Sequence, residues 1–88
     1  KIEIEVRNLS ELEEVLRVGG VDRIMLDNFT PAATREAVRI VNGRVELESS
    51  GGITRDTIRE YAKTGVDYIS VGALTHSVKS LDMSLKAV

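Results

Sequence analysis

The sequence predicts an α/β fold in which parallel βα repeats form about half of a TIM-like α/β barrel. Four strand-like runs alternate with three helical patterns at a spacing of about 22 residues, which is typical of a parallel sheet with right-handed crossovers. The first and third runs also alternate charged and apolar residues, whereas parallel strands covered by helices on both faces are apolar throughout.

The charged face of these strands favours a barrel over an open sheet that is covered on both sides. Glu3 and Glu5 share one face of the first strand, and Arg44, Glu46 and Glu48 share one face of the third. Burial of these charges under helices would be costly, whereas a barrel interior offers water, counter-charges or a ligand. Because four strands make only half a barrel, we expect the other half to come from preceding sequence or from a second chain.

The first half of the chain carries clear start and stop signals. Residues 1–7 alternate with period two and form the first predicted strand. Ser10-x-x-Glu13 is a capping box at the start of the first helix, and Gly19-Gly20 ends that helix. Residues 23–27 form the second predicted strand.

The second half repeats this pattern. Thr30-Pro31 places an N-cap and a first-turn proline at the start of the second helix, which closes at Asn42-Gly43. The next predicted elements are a strand at residues 44–48, a helix from Thr54 to Gly65 and a strand at residues 67–71. Thr75 and Ser77 are candidates for capping a final helical turn. Residues 81–85 fit either a strand-like strip or a frayed helix.

Composition restricts the possible partners. A net charge of −2 without a basic stripe argues against nucleic acid. The absence of cysteine excludes disulfides and thiolate metal sites, and no apolar run approaches the roughly 20 residues of a membrane span. We therefore expect a cytoplasmic domain with no nucleic-acid or membrane partner. Because the chain begins at Lys1 inside a strand, we expect it to be a piece of a longer protein.

A glycine-rich turn after the third strand predicts a phosphate site. In Ser50-Gly51-Gly52 the glycines allow close approach of the backbone, and a hydroxyl and the N–H groups of the helix capped by Thr54 suit an anion. Phosphate sites in α/β barrels often use the loops after the last two strands, and Gly72-Ala73 follows the fourth. His76, the only histidine, could donate to a phosphate oxygen. A plain strand-to-helix turn and a structural histidine are the alternatives.

Three carboxylates are predicted at the same mouth. Glu5, Asp27 and Glu48 stand at the carboxyl ends of the first three strands, where α/β barrels carry their reactive groups. They suit Mg²⁺, sugar hydroxyls or a developing positive charge, or each could pair with a Lys or Arg of the barrel interior. Asn28 could orient Asp27 or serve only as a turn residue. Tyr61 lies on an apolar helix stripe and is more typical of the core.

Four segments together resemble the C-terminal barrel portion of quinolinate phosphoribosyltransferase, the carboxylating nicotinate-nucleotide pyrophosphorylase. They are Ile4-Glu5-Val6, Met25-Leu26-Asp27-Asn28-Phe29, Leu47-Glu48-Ser49-Ser50-Gly51-Gly52 and Asp67-Tyr68-Ile69-Ser70-Val71-Gly72-Ala73-Leu74-Thr75-His76-Ser77. The resemblance covers essentially all 88 residues. Its strongest part is Leu-Asp-Asn combined with Gly-Ala-Leu-Thr-His-Ser, since many phosphate-binding barrels carry the glycine turns.

The resemblance implies phosphoribosyl transfer from phosphoribosyl pyrophosphate to quinolinate with decarboxylation, as a step of NAD biosynthesis. The products are nicotinate mononucleotide, pyrophosphate and CO₂, and the cofactor is Mg²⁺. Glu5 and Asp27 match the acidic pair near the ribose and the metal. Ser50, Gly51, Gly72 and His76 match the residues that hold the phosphates, and Glu48 completes the predicted substrate-binding set. A homo-oligomer, a dimer or larger, or pairing with a missing barrel half is also expected.

One part of the family's site has no counterpart in the sequence. The family holds quinolinate with Arg, His and Lys residues of an N-terminal domain, earlier strands and a neighbouring subunit. We therefore expect residues 1–88 to be the C-terminal part of a phosphoribosyltransferase domain and to be inactive alone. Two alternatives stay open: a non-catalytic phosphate-binding half-barrel that pairs with a second half, and a relative with a different base or a transport-linked role.

Overall fold

The computed structural model describes residues 1–81, which form one sheet with helices between its strands. The elements are β1 (Glu3–Val6), α1 (Leu9–Val18), β2 (Arg23–Asp27), α2 (Pro31–Val41), β3 (Glu46–Ser50), α3 (Ile58–Ala62), β4 (Tyr68–Val71) and β5 (Leu74–Ser77). Residues 78–81 add a helical turn, and the rest of the predicted segment 81–85 lies outside the described residues. No helix within residues 1–81 is long and apolar enough to cross a membrane.

The strands lie in the order β1-β2-β3-β4-β5. The first four are parallel, and β5 pairs with β4 in the antiparallel sense. A mostly parallel sheet with a helix after each of its first three strands confirms the predicted α/β fold. The sheet is open, with β1 and β5 at its edges, and this is consistent with half of a barrel.

The two faces of the sheet differ in polarity as the strand pattern predicts. The face that packs against the helices is apolar and buried, and its core side chains are Val6, Ile24, Leu26, Leu47 and Ile69. Because side chains alternate along a strand, the opposite or inner face carries Glu3, Glu5, Arg23, Met25, Asp27, Glu46, Glu48, Ser50, Tyr68 and Ser70. Burial of the first face therefore leaves charged and polar groups together on the second.

Two aspartates accept backbone hydrogen bonds at the starts of neighbouring strands. Asp22 Oδ2 accepts a hydrogen bond from the Ile2 N–H at 2.7 Å, and Asp67 Oδ2 accepts one from the Leu47 N–H at 2.9 Å. Each aspartate follows a Gly-Val pair, so the same short sequence performs the same task twice. These bonds set the register at the end of the sheet opposite to the predicted site.

The first helix begins two residues earlier than predicted. Asn8 Oδ1 accepts from the Glu11 N–H at 2.8 Å, and Glu11 Oε1 accepts from the Arg7 N–H at 2.7 Å. The capping residues are therefore Asn8 and Glu11, and the predicted box Ser10-x-x-Glu13 is wrong. Both pairs have the required spacing, and the earlier start brings Leu9 into the helix, where it packs against the core.

The second helix follows its sequence signals closely. Thr30 Oγ1 accepts from the Ala33 N–H at 3.1 Å, and Pro31 occupies the first turn. Asn42 ends the helix in the left-handed conformation with φ of 49°. The predicted boundaries of this helix are confirmed.

The third strand lies further along the chain than predicted. It ends at Ser50, two residues beyond the predicted end, because Asp27 of β2 pairs with Ser50. Arg44 precedes the strand, so its predicted place on the charged face is wrong. Its guanidinium donates instead to the carbonyl oxygens of Ile40 at 2.8 Å and Val41 at 3.0 Å, where a cation stabilises the carboxyl end of α2.

The third helix is shorter than predicted. The Thr54 carbonyl accepts from the N–H groups of Thr57 and Ile58, and Thr57 Oγ1 accepts from the Thr54 N–H at 3.0 Å. Hydrogen bonds between a threonine hydroxyl and the nearby backbone compete with the hydrogen bonds of a helix. Residues 54–57 therefore form a turn. The prediction that Thr54 caps the helix is wrong, and its N–H is already donated within this turn.

The segment 72–77, predicted as a loop, forms the turn and second strand of a hairpin. Gly72, with φ of 63°, takes the first position of a two-residue turn, where a type II′ hairpin requires glycine. Ser77 Oγ accepts from the Ser80 N–H at 3.3 Å, so its predicted cap on a final helical turn is confirmed. Thr75 lies inside β5 and caps no helix.

Candidate active site at the carboxyl ends of the strands

Two of the sequence motifs meet directly at the ends of β2 and β3. The Asn28 N–H donates to the Ser50 carbonyl oxygen at 2.8 Å. A Cβ placed on Gly51 would lie 3.0 Å from each of three atoms, Asp27 Oδ1, Asn28 N and Asn28 Oδ1. The Asp27 carboxylate and the Ser50-Gly51 turn are therefore packed against each other with no space for a side chain between them.

The backbone at this contact needs the residues that occupy it. Asn28 has φ of 61°, in the left-handed region, which asparagine tolerates better than most residues. Gly51 and Gly52 also have positive φ, 90° and 68°. Three left-handed residues on two adjacent loops produce a tight mouth in which backbone and short polar side chains are close together.

Glu5 and Asp27 share the inner face on adjacent strands but stand at different heights. Glu5 pairs in register with Met25, so Asp27 lies two residues further toward the mouth. With strands about 4.8 Å apart and a rise of about 3.3 Å per residue, the Cα atoms of the two acids are about 8 Å apart. Glu5 is exposed and Asp27 is half-buried. The pair is close enough for both carboxylates to face one hydrated ligand.

A divalent cation is compatible with this pair. Within residues 1–81 there is no group of three or more His, Cys, Asp or Glu side chains that could hold a metal ion. Magnesium, however, prefers oxygen ligands and retains several waters, so one or two carboxylates together with substrate phosphate oxygens are enough. Glu5 and Asp27 fit that mode of binding and do not fit a closed, all-protein metal site.

Glu48 is buried on the inner face and already has protein partners. Its Oε1 lies 3.4 Å from Arg23 Nη1, and its Oε2 accepts from Ser70 Oγ at 2.6 Å. The Arg23 guanidinium also contacts Glu46 at 3.3 Å and stacks 3.7 Å from the centre of the Tyr68 ring. Pairing with a Lys or Arg of the barrel interior was the alternative role for each carboxylate in the sequence analysis, and Glu48 has such a partner in Arg23. A substrate-binding role for Glu48 stays a prediction.

Arg23 carries the positive charge of this cluster. Burial acts to lower the Arg23 pKa, but the hydrogen bond to Glu46 and the attraction of Tyr68, Glu46 and Glu48 outweigh it and raise the pKa above its usual value. The guanidinium therefore stays charged and offsets part of the negative charge of two glutamates. Sequence reasoning missed Arg23, although its spacing from Asp27, with Met25 between, places it on the inner face.

Gly72 and His76 do not join the Asp27-Gly51 contact in the described structure. Gly72 is exposed at the tip of the hairpin. His76 is half-buried and pairs with Ile69, and directly opposed residues of an antiparallel pair share a face. His76 therefore lies on the helix-facing side, whereas Thr75 is on the inner face, with Oγ1 2.9 Å from Ser70 Oγ. Phosphate binding by Gly72 and His76 stays a prediction.

Comparison with known proteins identifies the family. The model of the quinolinate phosphoribosyl transferase C-terminal domain matches residues 1–86. The chain belongs to this family. The resemblance carried by the sequence motifs is thereby confirmed.

Relatives in this quinolinate phosphoribosyl transferase family match all or nearly all of the chain. A probable carboxylating nicotinate-nucleotide pyrophosphorylase of Methanocaldococcus jannaschii is 55% identical, over 100% of this chain and 33% of that protein. A chloroplastic carboxylating nicotinate-nucleotide pyrophosphorylase of Oryza sativa subsp. japonica is 43% identical, over 97% of this chain and 27% of that protein. The chain thus spans a third or less of the length of these relatives.

Solved structures of nicotinate-nucleotide pyrophosphorylases have the same fold. The structure from Ehrlichia chaffeensis has a TM-score of 0.75 and 47% identity, over 80% of this chain and 25% of that one. The structure from Francisella tularensis has a TM-score of 0.74 and 45% identity, over 85% of this chain and 28% of that one. The fold and the sequence therefore support the same family.

Proposed function

We propose that this chain supplies the ribose and phosphate side of a quinolinate phosphoribosyltransferase active site. The observation that carries the proposal is the contact of Asp27 and Asn28 with Ser50 and Gly51 at the strand ends, in a family whose relatives are named for this activity. An acidic group packed against a glycine turn suits a ligand that combines a sugar with a phosphate.

The proposed reaction transfers the phosphoribosyl group from phosphoribosyl pyrophosphate to quinolinate. The bond between ribose C1 and a pyrophosphate oxygen breaks, and the pyridine nitrogen of quinolinate bonds to C1. Loss of CO₂ leaves an electron pair on the ring carbon, which takes up a proton. The products are nicotinate mononucleotide, pyrophosphate and CO₂, and the step belongs to NAD biosynthesis.

The carboxylates act on the charge that develops at the ribose. As the C1–O bond breaks, positive charge grows on the ribose ring, and the carboxylates of Glu5 and Asp27 stabilise it. The same two groups would hold Mg²⁺, which when bound neutralises the pyrophosphate that leaves. Because strand pairing fixes the backbone of both residues, their carboxylates start from defined positions at the mouth.

The glycine turn holds the phosphate end of the substrate. The hydroxyl of Ser50 and the backbone of Gly51 offer donors beside Asp27 without adding positive charge that would oppose the ribose cation. Glu48, Gly72 and His76 complete the proposed binding set. Of these three, only Glu48 lies on the inner face in the described residues, next to Ser70.

The completion of the barrel by further strands is also part of the proposal. We propose that residues 1–88 are the C-terminal part of a barrel whose other strands complete the sheet beyond β1 and β5. Either the rest of one chain or a second copy in a homo-oligomer would cover these edges, because exposed strand edges offer unpaired backbone groups. A cytoplasmic location stays a prediction, since the rice relative is named as chloroplastic.

A stoichiometric assay tests the proposed function. The complete protein that contains this chain, given quinolinate, phosphoribosyl pyrophosphate and Mg²⁺, is expected to release one CO₂ and one pyrophosphate for each nicotinate mononucleotide formed. The 88-residue chain alone is expected to show no turnover, because the family resemblance assigns the Arg, His and Lys residues that hold quinolinate to segments outside it. Absence of product from the complete protein would contradict the function, and turnover by the isolated chain would contradict the division of the site.

One observation favours the alternative of a non-catalytic phosphate-binding half-barrel. Glu48 is already paired with Arg23 and Ser70, so one of the three predicted carboxylates is used structurally. Such a scaffold would bind ribose 5-phosphate in calorimetry when paired with its second half, yet it would form no nicotinate mononucleotide. The stoichiometric assay separates the two functions.

A further inference from the structure

The loop that carries the Asp27 carboxylate is held by a residue from a distant part of the chain. The Tyr61 hydroxyl, on α3, donates to the Phe29 carbonyl oxygen at 2.7 Å, across 32 positions of sequence. Its ring packs against the hydrophobic core and is half-buried. Phenylalanine would fill nearly the same volume, so the hydroxyl contributes mainly this hydrogen bond.

The same loop has two further attachment points, which leave it little freedom. The Asn28 N–H is bonded to the Ser50 carbonyl on the β3 side, and the Phe29 side chain is buried at 5% exposure. Thr30 then caps α2. Among these hydrogen bonds, only the one from Tyr61 joins the loop to α3. Within residues 1–81 it therefore holds the loop on the side that faces α3.

Movement of this loop would be transmitted to the mouth of the sheet. Asp27 and Asn28 approach Gly51 so closely that a single Cβ would lie 3.0 Å from three of their atoms. A shift of Phe29 toward or away from α3 changes the position of Asn28 and, through it, of the Asp27 carboxylate. Misplacement of a charged group by about 1 Å is enough to reduce catalysis strongly.

We propose that Tyr61 is a positioning residue, which acts through the Phe29 carbonyl and the Asn28 amide to hold the Asp27 carboxylate against the Ser50-Gly51 turn. The inference rests on the proposed function, because it takes Asp27 to stabilise charge in phosphoribosyl transfer. Tyr61 itself touches no reacting atom. It supplies the rigidity that the carboxylate needs.

The test compares two hydroxyl deletions in the complete protein, one on α3 and one in the turn that follows it. Tyr61→Phe removes the bond to Phe29 and keeps the ring. Thr64→Val is the matched control, because the Thr64 hydroxyl donates to the Tyr61 carbonyl and not to the loop. We expect Tyr61→Phe to lower kcat about tenfold, with the KM for quinolinate unchanged, and Thr64→Val to keep kcat within about twofold.

A second readout does not depend on activity. Hydrogen exchange of the Asn28 backbone N–H, measured by NMR, is expected to be about tenfold faster in Tyr61→Phe than in Thr64→Val. Equal exchange in the two variants, or an unchanged kcat in Tyr61→Phe, overturns the inference. If the parent protein forms no product, the proposed function fails, and the exchange comparison alone decides whether Tyr61 positions the loop.

Discussion

At the scale of single residues, the site depends on the absence of a side chain at Gly51. The three atoms that a Cβ would meet there belong to the two residues that the sequence singled out in the neighbouring loop, Asp27 and Asn28. Local signals were enough to identify these residues, because a strand end followed by glycines or by Asp-Asn is visible in the sequence. Their contact could not be predicted, since it depends on the register between β2 and β3.

Gly51→Ala is expected to damage the site more than its conformational cost alone explains. The variant Gly43→Ala is the matched control, because Gly43 also has positive φ, 78°, but a Cβ there meets nothing within 4 Å. We expect both variants to lose about 1 kcal/mol of unfolding free energy from the strained backbone, measured by urea denaturation, and Gly51→Ala to lose about 1–2 kcal/mol more. Equal losses would contradict the close approach at Gly51.

At the scale of elements, the boundaries set by neighbouring residues were predicted correctly. The elements that depend on packing or strand pairing were misplaced or missed. Both ends of α2 were predicted correctly because the signals from Thr30, Pro31 and Asn42 each act within one helical turn. α1 was misplaced because Asn8 and Ser10 each precede a glutamate by three residues, and only packing of Leu9 distinguishes them. β5 was missed because a hairpin is defined by pairing with β4, and the glycine turn alone fits a loop equally well.

The strand-start aspartates give a prediction at this scale. Asp67→Ala removes the carboxylate that accepts from the Leu47 N–H and is expected to lower the unfolding free energy by about 1 kcal/mol. Asp67→Asn should lose less, because the amide oxygen can still accept this bond. Glu13→Ala, at an exposed position of α1, serves as the surface control in the same urea titration. A loss for Asp67→Ala no larger than for Glu13→Ala would show that this bond does not fasten β3.

At the scale of the whole molecule, the charge pattern of the sheet links its fold to its function. Within residues 1–81 the inner face carries five carboxylates and one guanidinium, that of Arg23. A face of this kind is stable only against water, cations or a cationic partner, which is the reason that the sequence predicted half of a barrel. The Arg23 cluster was missed because Arg23 lies 23 and 25 positions from Glu46 and Glu48, and these side chains meet only through strand pairing.

The central claim is that the Asp27 carboxylate, held against the Ser50-Gly51 turn, stabilises the charge that develops at the ribose. The most direct measurement is kcat of Asp27→Asn in the complete protein, with Glu36→Gln as a control that removes a half-exposed carboxylate paired with Arg39 on α2. The account predicts a fall of about 100-fold or more in kcat for Asp27→Asn and a change within about twofold for Glu36→Gln. An Asp27→Asn enzyme that is folded and retains kcat within about threefold of the parent would contradict it.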